Sequence, residues 1–88
     1  MNAEQWVEKL QSEGWKNVSV SNHEPNTVFG VHTHHDPSVH VILQGELTIT
    51  DQNGVKTVGE GGRIEFPAGT THNVLCGSNG CTFVVGFR

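Results

Sequence analysis

Hydrophobic positions along this chain change period once, near residue 15. Before that point Trp6, Val7 and Leu10 fall on one face at helical spacing, Asn2 stands at an N-cap position with Gln5 three residues on, and Gly14 occupies the place of a C′ residue. The pattern predicts an amphipathic helix over residues 3–12, within an N-terminal segment 1–14, with Trp15 following it into the fold. Beyond it the period is two. Lys16 to Ser21 alternates, and Asn22 to Asn26, with Pro25, breaks the run. Val28 to His34 alternates again, Asp36-Pro37 interrupts, and Val39 to Leu43 is a dense β-branched run ending at Gly45. Glu46 to Thr50, Val55 to Val58, Arg63 to Phe66, His72 to Cys76 and Thr82 to Phe87 complete the series, with Asn53-Gly54 giving a hairpin signal and Pro67-Ala68-Gly69 a tight turn. About eight short strands at regular spacing predict an all-β sandwich or barrel over residues 16–87, in one domain spanning 1–88.

Length and composition narrow this picture. With 88 residues, 34% of them hydrophobic and 16% charged, the core must be thin, and a chain of this size gains burial by pairing with a copy of itself. A homodimer is the expected assembly. Five Lys and Arg against nine Asp and Glu give a net charge of −4, and the basic residues are scattered, which argues against nucleic acid and anionic membrane as partners. No basic region leads into an apolar run near Met1, and no stretch approaches the ~20 apolar residues of a transmembrane helix, so a soluble, cytoplasmic protein is expected. Cys76 and Cys81 bracket Gly77-Ser78-Asn79-Gly80, and a hairpin there would set them opposite one another. In a reducing compartment such a pair reads as two small, buried thiols.

Candidate chemistry concentrates in two segments. Gly30 to Gly45 holds four of the six histidines, and His72 closes Gly61 to His72. His32 and His34 lie two apart in a predicted strand and share one face. His40 keeps that parity, whereas His35 has the opposite one and is expected to face solvent. His23, in the predicted loop, reads as a surface residue, and Glu46 and Glu65 are expected to face water. Asp36 reads as a turn former, and the chain has no Tyr to serve as a proton donor. Inward parity makes Phe29, Ile42, Phe66, Val74 and Phe83 the expected wall of a pocket.

These two segments resemble the motifs of the cupin superfamily. The first family motif, H-x-H-x-x-x-E followed by six residues and a Gly, is met by His32, His34 and Gly45, with Ser38 where the Glu stands. The second, G-x-x-x-x-x-P-x-G-x-x-H-x-x-x-N, is met by Gly61, Pro67, Gly69 and His72, with Cys76 in place of Asn. The motifs cover Gly30 to Cys76, about half the chain. The resemblance implies a double-stranded β-helix barrel, or jelly roll, in which His72 lies across from His32 and His34. Three converging neutral imidazoles would suit Zn, Fe, Ni or Cu, with Mn less favoured once the carboxylate is gone. Ser38 is a poor ligand for these metals and leaves its place to water or substrate, or to His40, which could be a fourth ligand or stand behind the metal. The expected function is a small metal-binding cupin holding a small organic ligand, with His32, His34, His40 and His72 as the metal set and Ser38 beside the ligand. The alternatives are a three-histidine dioxygenase or an isomerase or lyase acting on a sugar or other small carbonyl compound, and a metal-free sensing or structural module.

Overall fold

The computed structural model describes residues 1–33 and 35–88, His32 by its backbone alone. Helix α1 spans Ala3–Ser12 and opens on the predicted capping box: Gln5 N donates to Asn2 Oδ1 at 2.8 Å, and Asn2 N donates to Gln5 Oε1 at 2.9 Å. Two of the helix's orphan N-terminal donors are thereby satisfied. Gly14, at φ +95°, turns the chain out of the helix and delivers Trp15, 4% exposed, to the sheet.

Six strands follow: β1 (Lys16–His23), β2 (Val28–Thr33), β3 (Ser38–Asp51), β4 (Gly54–Val58), β5 (Arg63–Phe66) and β6 (Thr71–Phe87). All pairings are antiparallel. The count differs from the expected eight because β3 and β6 each run through two of the predicted strands. Their first and last parts pair together in one sheet, ordered β1–β6–β3–β5, and their remaining parts in a second, ordered β2–β6–β3–β4. The result is a jelly-roll sandwich rather than a closed barrel.

The bend between the two sheets has a local cause. Gly45 pairs with Cys81 and Leu47 with Cys76, so residues 77–80 of β6 bulge out opposite Glu46 alone. Gly45 sits at φ +77°, and a Cβ there would overlap the carbonyl oxygen of Gly80 and lie 3.0 Å from its carbonyl carbon. Only glycine fits that crossing. Cys76 and Cys81 flank the excursion, with Cα atoms 5.7 Å apart, and are joined in a disulfide rather than standing as two thiols across a hairpin. Both are buried.

Two apolar clusters result. Ile42, Leu47, Ile49, Val58, Ile64, Phe66, Val74 and Phe83 pack with the disulfide between the sheets. Val39, Val41 and Val84, on the opposite face of the first sheet, pack under Leu10 and Trp15, with Trp6 and Val7 against them. The run Val39 to Leu43 is therefore apolar on both faces, because α1 covers one and the sandwich the other. Helix and sheet are further tied by Arg63 of β5, whose Nη1 and Nη2 donate to the two carboxylate oxygens of Glu13 at 3.0 and 2.6 Å. The Arg88 guanidinium stacks 3.9 Å from the Trp15 ring centroid and donates to Glu13 O at 2.8 Å. Hydrogen bonding from Arg63 holds the Glu13 carboxyl down at about 2, against the partial burial that opposes it. Among the described residues, no helix is long and apolar enough to cross a membrane.

Candidate functional site

The interior between the sheets carries imidazoles as well as aliphatic side chains, and the strand register explains which. On β3, Ser38, His40 and Ile42 share the inner parity, while Val39 and Val41 go to the helix side. Ser38 pairs with Phe66 of β5 and Phe87 of β6, and His40 with Ile64 and Val85. In the other sheet His72 of β6 lies inward between the exposed Thr71 and the half-buried Asn73, and is 2% exposed. Its partner across the β2–β6 ladder is His32, so the two backbones stand directly opposite.

Phe66 brings the two sheets' histidines to one ring. Its centroid lies 4.2 Å from that of His72 and 5.5 Å from that of His40. His40 also meets Phe83 at 5.1 Å, and His23 stacks on Phe83 at 5.2 Å and 18°. Phe29 closes on His23 edge-on at 4.6 Å. Imidazole and phenyl rings thus alternate through the interior in the order His72, Phe66, His40, Phe83, His23. Beside this array Ser38 is fully buried, and its hydroxyl oxygen has no hydrogen-bond partner among the described residues. A buried hydroxyl left in that state costs about 1–3 kcal/mol.

His23 is the residue sequence reasoning misplaced. Strand β1 runs on through it, and its Nε2 lies 2.6 Å from Ser21 Oγ. The signal was present: Ser19, Ser21 and His23 pair with Val85, Phe83 and Cys81, all inward, so the alternation starting at Lys16 needed only one more step past Asn22.

Residues 19–85 match the Cupin_2 family, a cupin domain. The chain belongs to the cupin family. Among solved structures, it is similar to a protein of unknown function from Rhizobium leguminosarum bv. viciae 3841, with 18% identity and TM-score 0.75 over 81% of this chain and 67% of that one. A cupin-2 domain protein from Shewanella frigidimarina NCIMB 400 gives 22% identity and TM-score 0.68 over 77% of this chain and 65% of that one. The DMSP lyase DddQ from Ruegeria pomeroyi DSS-3 gives 19% identity and TM-score 0.72 over 81% of this chain, which spans only 36% of that enzyme. At these identities the likeness is one of fold. No curated protein sequence matches the chain.

Against the cupin motifs, the expected residues divide as follows. His40, His72 and Ser38 face the interior together with Phe66 and Phe83, while Ile42 and Val74 belong to the same buried cluster and the half-buried Phe29 packs against it. His34 and the side chain of His32 lie outside the described residues. Among the described residues, no three His, Cys, Asp or Glu side chains form a group able to hold a metal ion. His35, Asp36, Glu46 and Glu65 are exposed. The expected apolar pocket wall is instead mostly packed: Ile42, Phe66, Val74 and Phe83 are each under 10% exposed. In so small a chain the inward apolar residues are needed to fill the core. A cavity of about 660 Å³ opens elsewhere, between the turns at Asp51–Asn53 and Gly69–Thr71, and of the expected site residues His72 alone borders it.

Proposed function

We propose that this cupin binds a divalent transition metal through His40 and His72 together with His32 and His34, and takes a small organic ligand beside it. The observation that carries this reading is the pairing of two inward imidazoles from different sheets on the single ring of Phe66, next to a buried Ser38 hydroxyl. Imidazole in a largely apolar interior is a costly way to fill space, and it is the ligand type that suits Zn, Fe, Ni and Cu. Ser38 fits the same reading. With a hydroxyl in place of a carboxylate the donor set is neutral, and a water or ligand oxygen near the metal would give Ser38 Oγ a partner. When bound, such a metal supplies Lewis acidity or an oxygen-binding position. The protein's part is to hold the imidazoles, with Phe66 and Phe83 fixing the ring planes and excluding bulk water.

The test is elemental analysis of untagged protein from metal-replete growth, with His72→Ala and His40→Ala alongside. The wild type should carry about one metal per chain, as a single imidazole cluster allows. His72→Ala should lose that metal while keeping a β-rich circular dichroism spectrum. Retained stoichiometry in His40→Ala would remove that residue from the ligand set. A wild type free of metal, which also fails to take up Zn²⁺ or Ni²⁺ in calorimetric titration, would end the reading.

A further inference from the structure

The sandwich is closed along one side and accessible along the other. Strands β4 and β5 stand on the β3 side of the two sheets, and their inward residues Val58, Ile64 and Phe66 are buried. Strands β1 and β2 stand on the β6 side, each pairing with β6 alone among the described residues. There the inner face meets solvent: Ser19 is exposed, and Ser21, His23, Phe29 and Val85 are half-buried.

On this side the sequence places a hydroxyl and an imidazole two residues apart. Alternation puts Ser21 and His23 on the same face of β1, and Ser21 Oγ lies 2.6 Å from His23 Nε2. Packing fixes the ring, which stacks on Phe83 at 5.2 Å and meets Phe29 edge-to-face at 4.6 Å. With the ring proton on Nδ1, Nε2 accepts from the Ser21 hydroxyl, the arrangement that activates a serine as a nucleophile. Ser19 lies two residues back on the same face, about 7 Å away along the strand, so its hydroxyl can reach the oxygen of a carbonyl attacked at Ser21.

We propose that Ser21 and His23 form a nucleophile–base pair that takes acyl groups from small activated esters entering between β1 and β2. Ser21 Oγ attacks the ester carbonyl carbon as its proton passes to His23 Nε2. Collapse of the tetrahedral adduct breaks the bond from the carbonyl carbon to the leaving-group oxygen, which departs with that proton and leaves an acyl-Ser21. Water then gives a proton to Nε2 and attacks the acyl carbon, and the acid is freed as the proton returns to Oγ. The pair stands apart from the imidazoles of His40 and His72 proposed for the metal. Phe29 supplies an apolar wall beside it, which favours esters with an apolar acyl or aryl group. A lone hydroxyl donor at Ser19 is a weak oxyanion site, so reactive esters rather than amides are the class within reach.

The test is p-nitrophenyl acetate in excess over the full chain, with p-nitrophenolate release followed by absorbance and the acetylated peptide located by mass spectrometry. The wild type should release a burst of about one equivalent per chain, carry the acetyl group on Ser21 and then turn over slowly. Ser21→Ala should lose the burst and the adduct, Ser21→Cys should regain both, and His23→Gln should slow acylation by about a hundredfold or more. Ser78→Ala, at an exposed position on the excursion of β6, should match the wild type. Circular dichroism confirms that each variant is folded. Chelator-treated wild type should keep the burst, which separates this pair from the proposed metal site. A wild type without an adduct at Ser21 overturns the proposal, as does a Ser21→Ala variant that is acylated at the wild-type rate, or a burst abolished by chelator.

Discussion

Gly45→Ala tests the crossing on which both sheets depend. The backbone there is at φ +77°, which costs an L-residue about 1–2 kcal/mol. An added Cβ would overlap the Gly80 carbonyl oxygen and stand 3.1 Å from Cys81 Cα, so the atoms that must yield are backbone, held by the neighbouring disulfide. Overpacking of that kind adds about 1–3 kcal/mol. The sum is about 2–5 kcal/mol, or a fall of about 8–40 °C in Tm for a domain of this size. Gly14→Ala provides the scale: its φ is +95° but nothing lies within 4 Å of its Cβ position, so only the conformational cost applies, about 4–16 °C. Thermal unfolding followed by circular dichroism reads both. If Gly45→Ala loses no more than Gly14→Ala, close approach is not what requires glycine at the crossing, and the account of the bend is wrong.

Three further expectations concern other parts of the molecule. The Glu13 carboxyl is depressed from 4.5 to about 2 by Arg63, so its ionised form contributes stability above pH 4.5, and that contribution is lost as pH falls towards 2. Partial exposure limits it to about 1 kcal/mol, and Glu13→Gln should flatten the urea-midpoint profile across that interval while leaving higher pH lower by the same amount; an unchanged acid limb would refute the assignment. Reducing Cys76–Cys81 opens a loop of sequence separation 5 and should lower stability by about 2 kcal/mol in a Tm comparison with and without phosphine reductant, whereas identical curves would mean the two sulfurs are thiols in solution. Ser38→Ala should raise the Tm of chelator-treated protein by about 4–8 °C, since it removes a buried hydroxyl without a partner among the described residues, and a drop would show that the hydroxyl is bonded.

The helix was legible to the residue, because Asn2, Gln5 and Gly14 are local signals acting on their own neighbours. Strand positions were also legible, but strand continuity was not. Gly45 and Gly77–Gly80 read as breaks, and a glycine that bends a strand across a bulge looks in sequence like one that ends it. Similarly, alternation placed His40 inward and His35 outward, yet it stopped one step short of His23, where Asn22 and Pro25 suggested a loop. The apolar wall was read with the correct parity, and its members are inside. Parity cannot tell a lining from a filling, since that depends on how closely the sheets approach. The cysteine pairing turned on long-range register as well: Cys76 and Cys81 meet because β3 draws both ends of the excursion onto Gly45 and Leu47.

Strand β6 hydrogen-bonds to β1, β2 and β3, whereas β1 and β2 have no other ladder partner among the described residues. During synthesis, then, residues 1–40 can form helix α1 and little else, β3 can pair with β4 and β5, and β1 and β2 wait for residues 71–87 to emerge, several seconds later at typical elongation rates of about 5–20 residues per second. Until then the β6-facing edge of β3, with the stretch Val39–Leu43, is open to other chains, which makes the order of emergence, rather than final stability, the point at which this small protein is most exposed to aggregation.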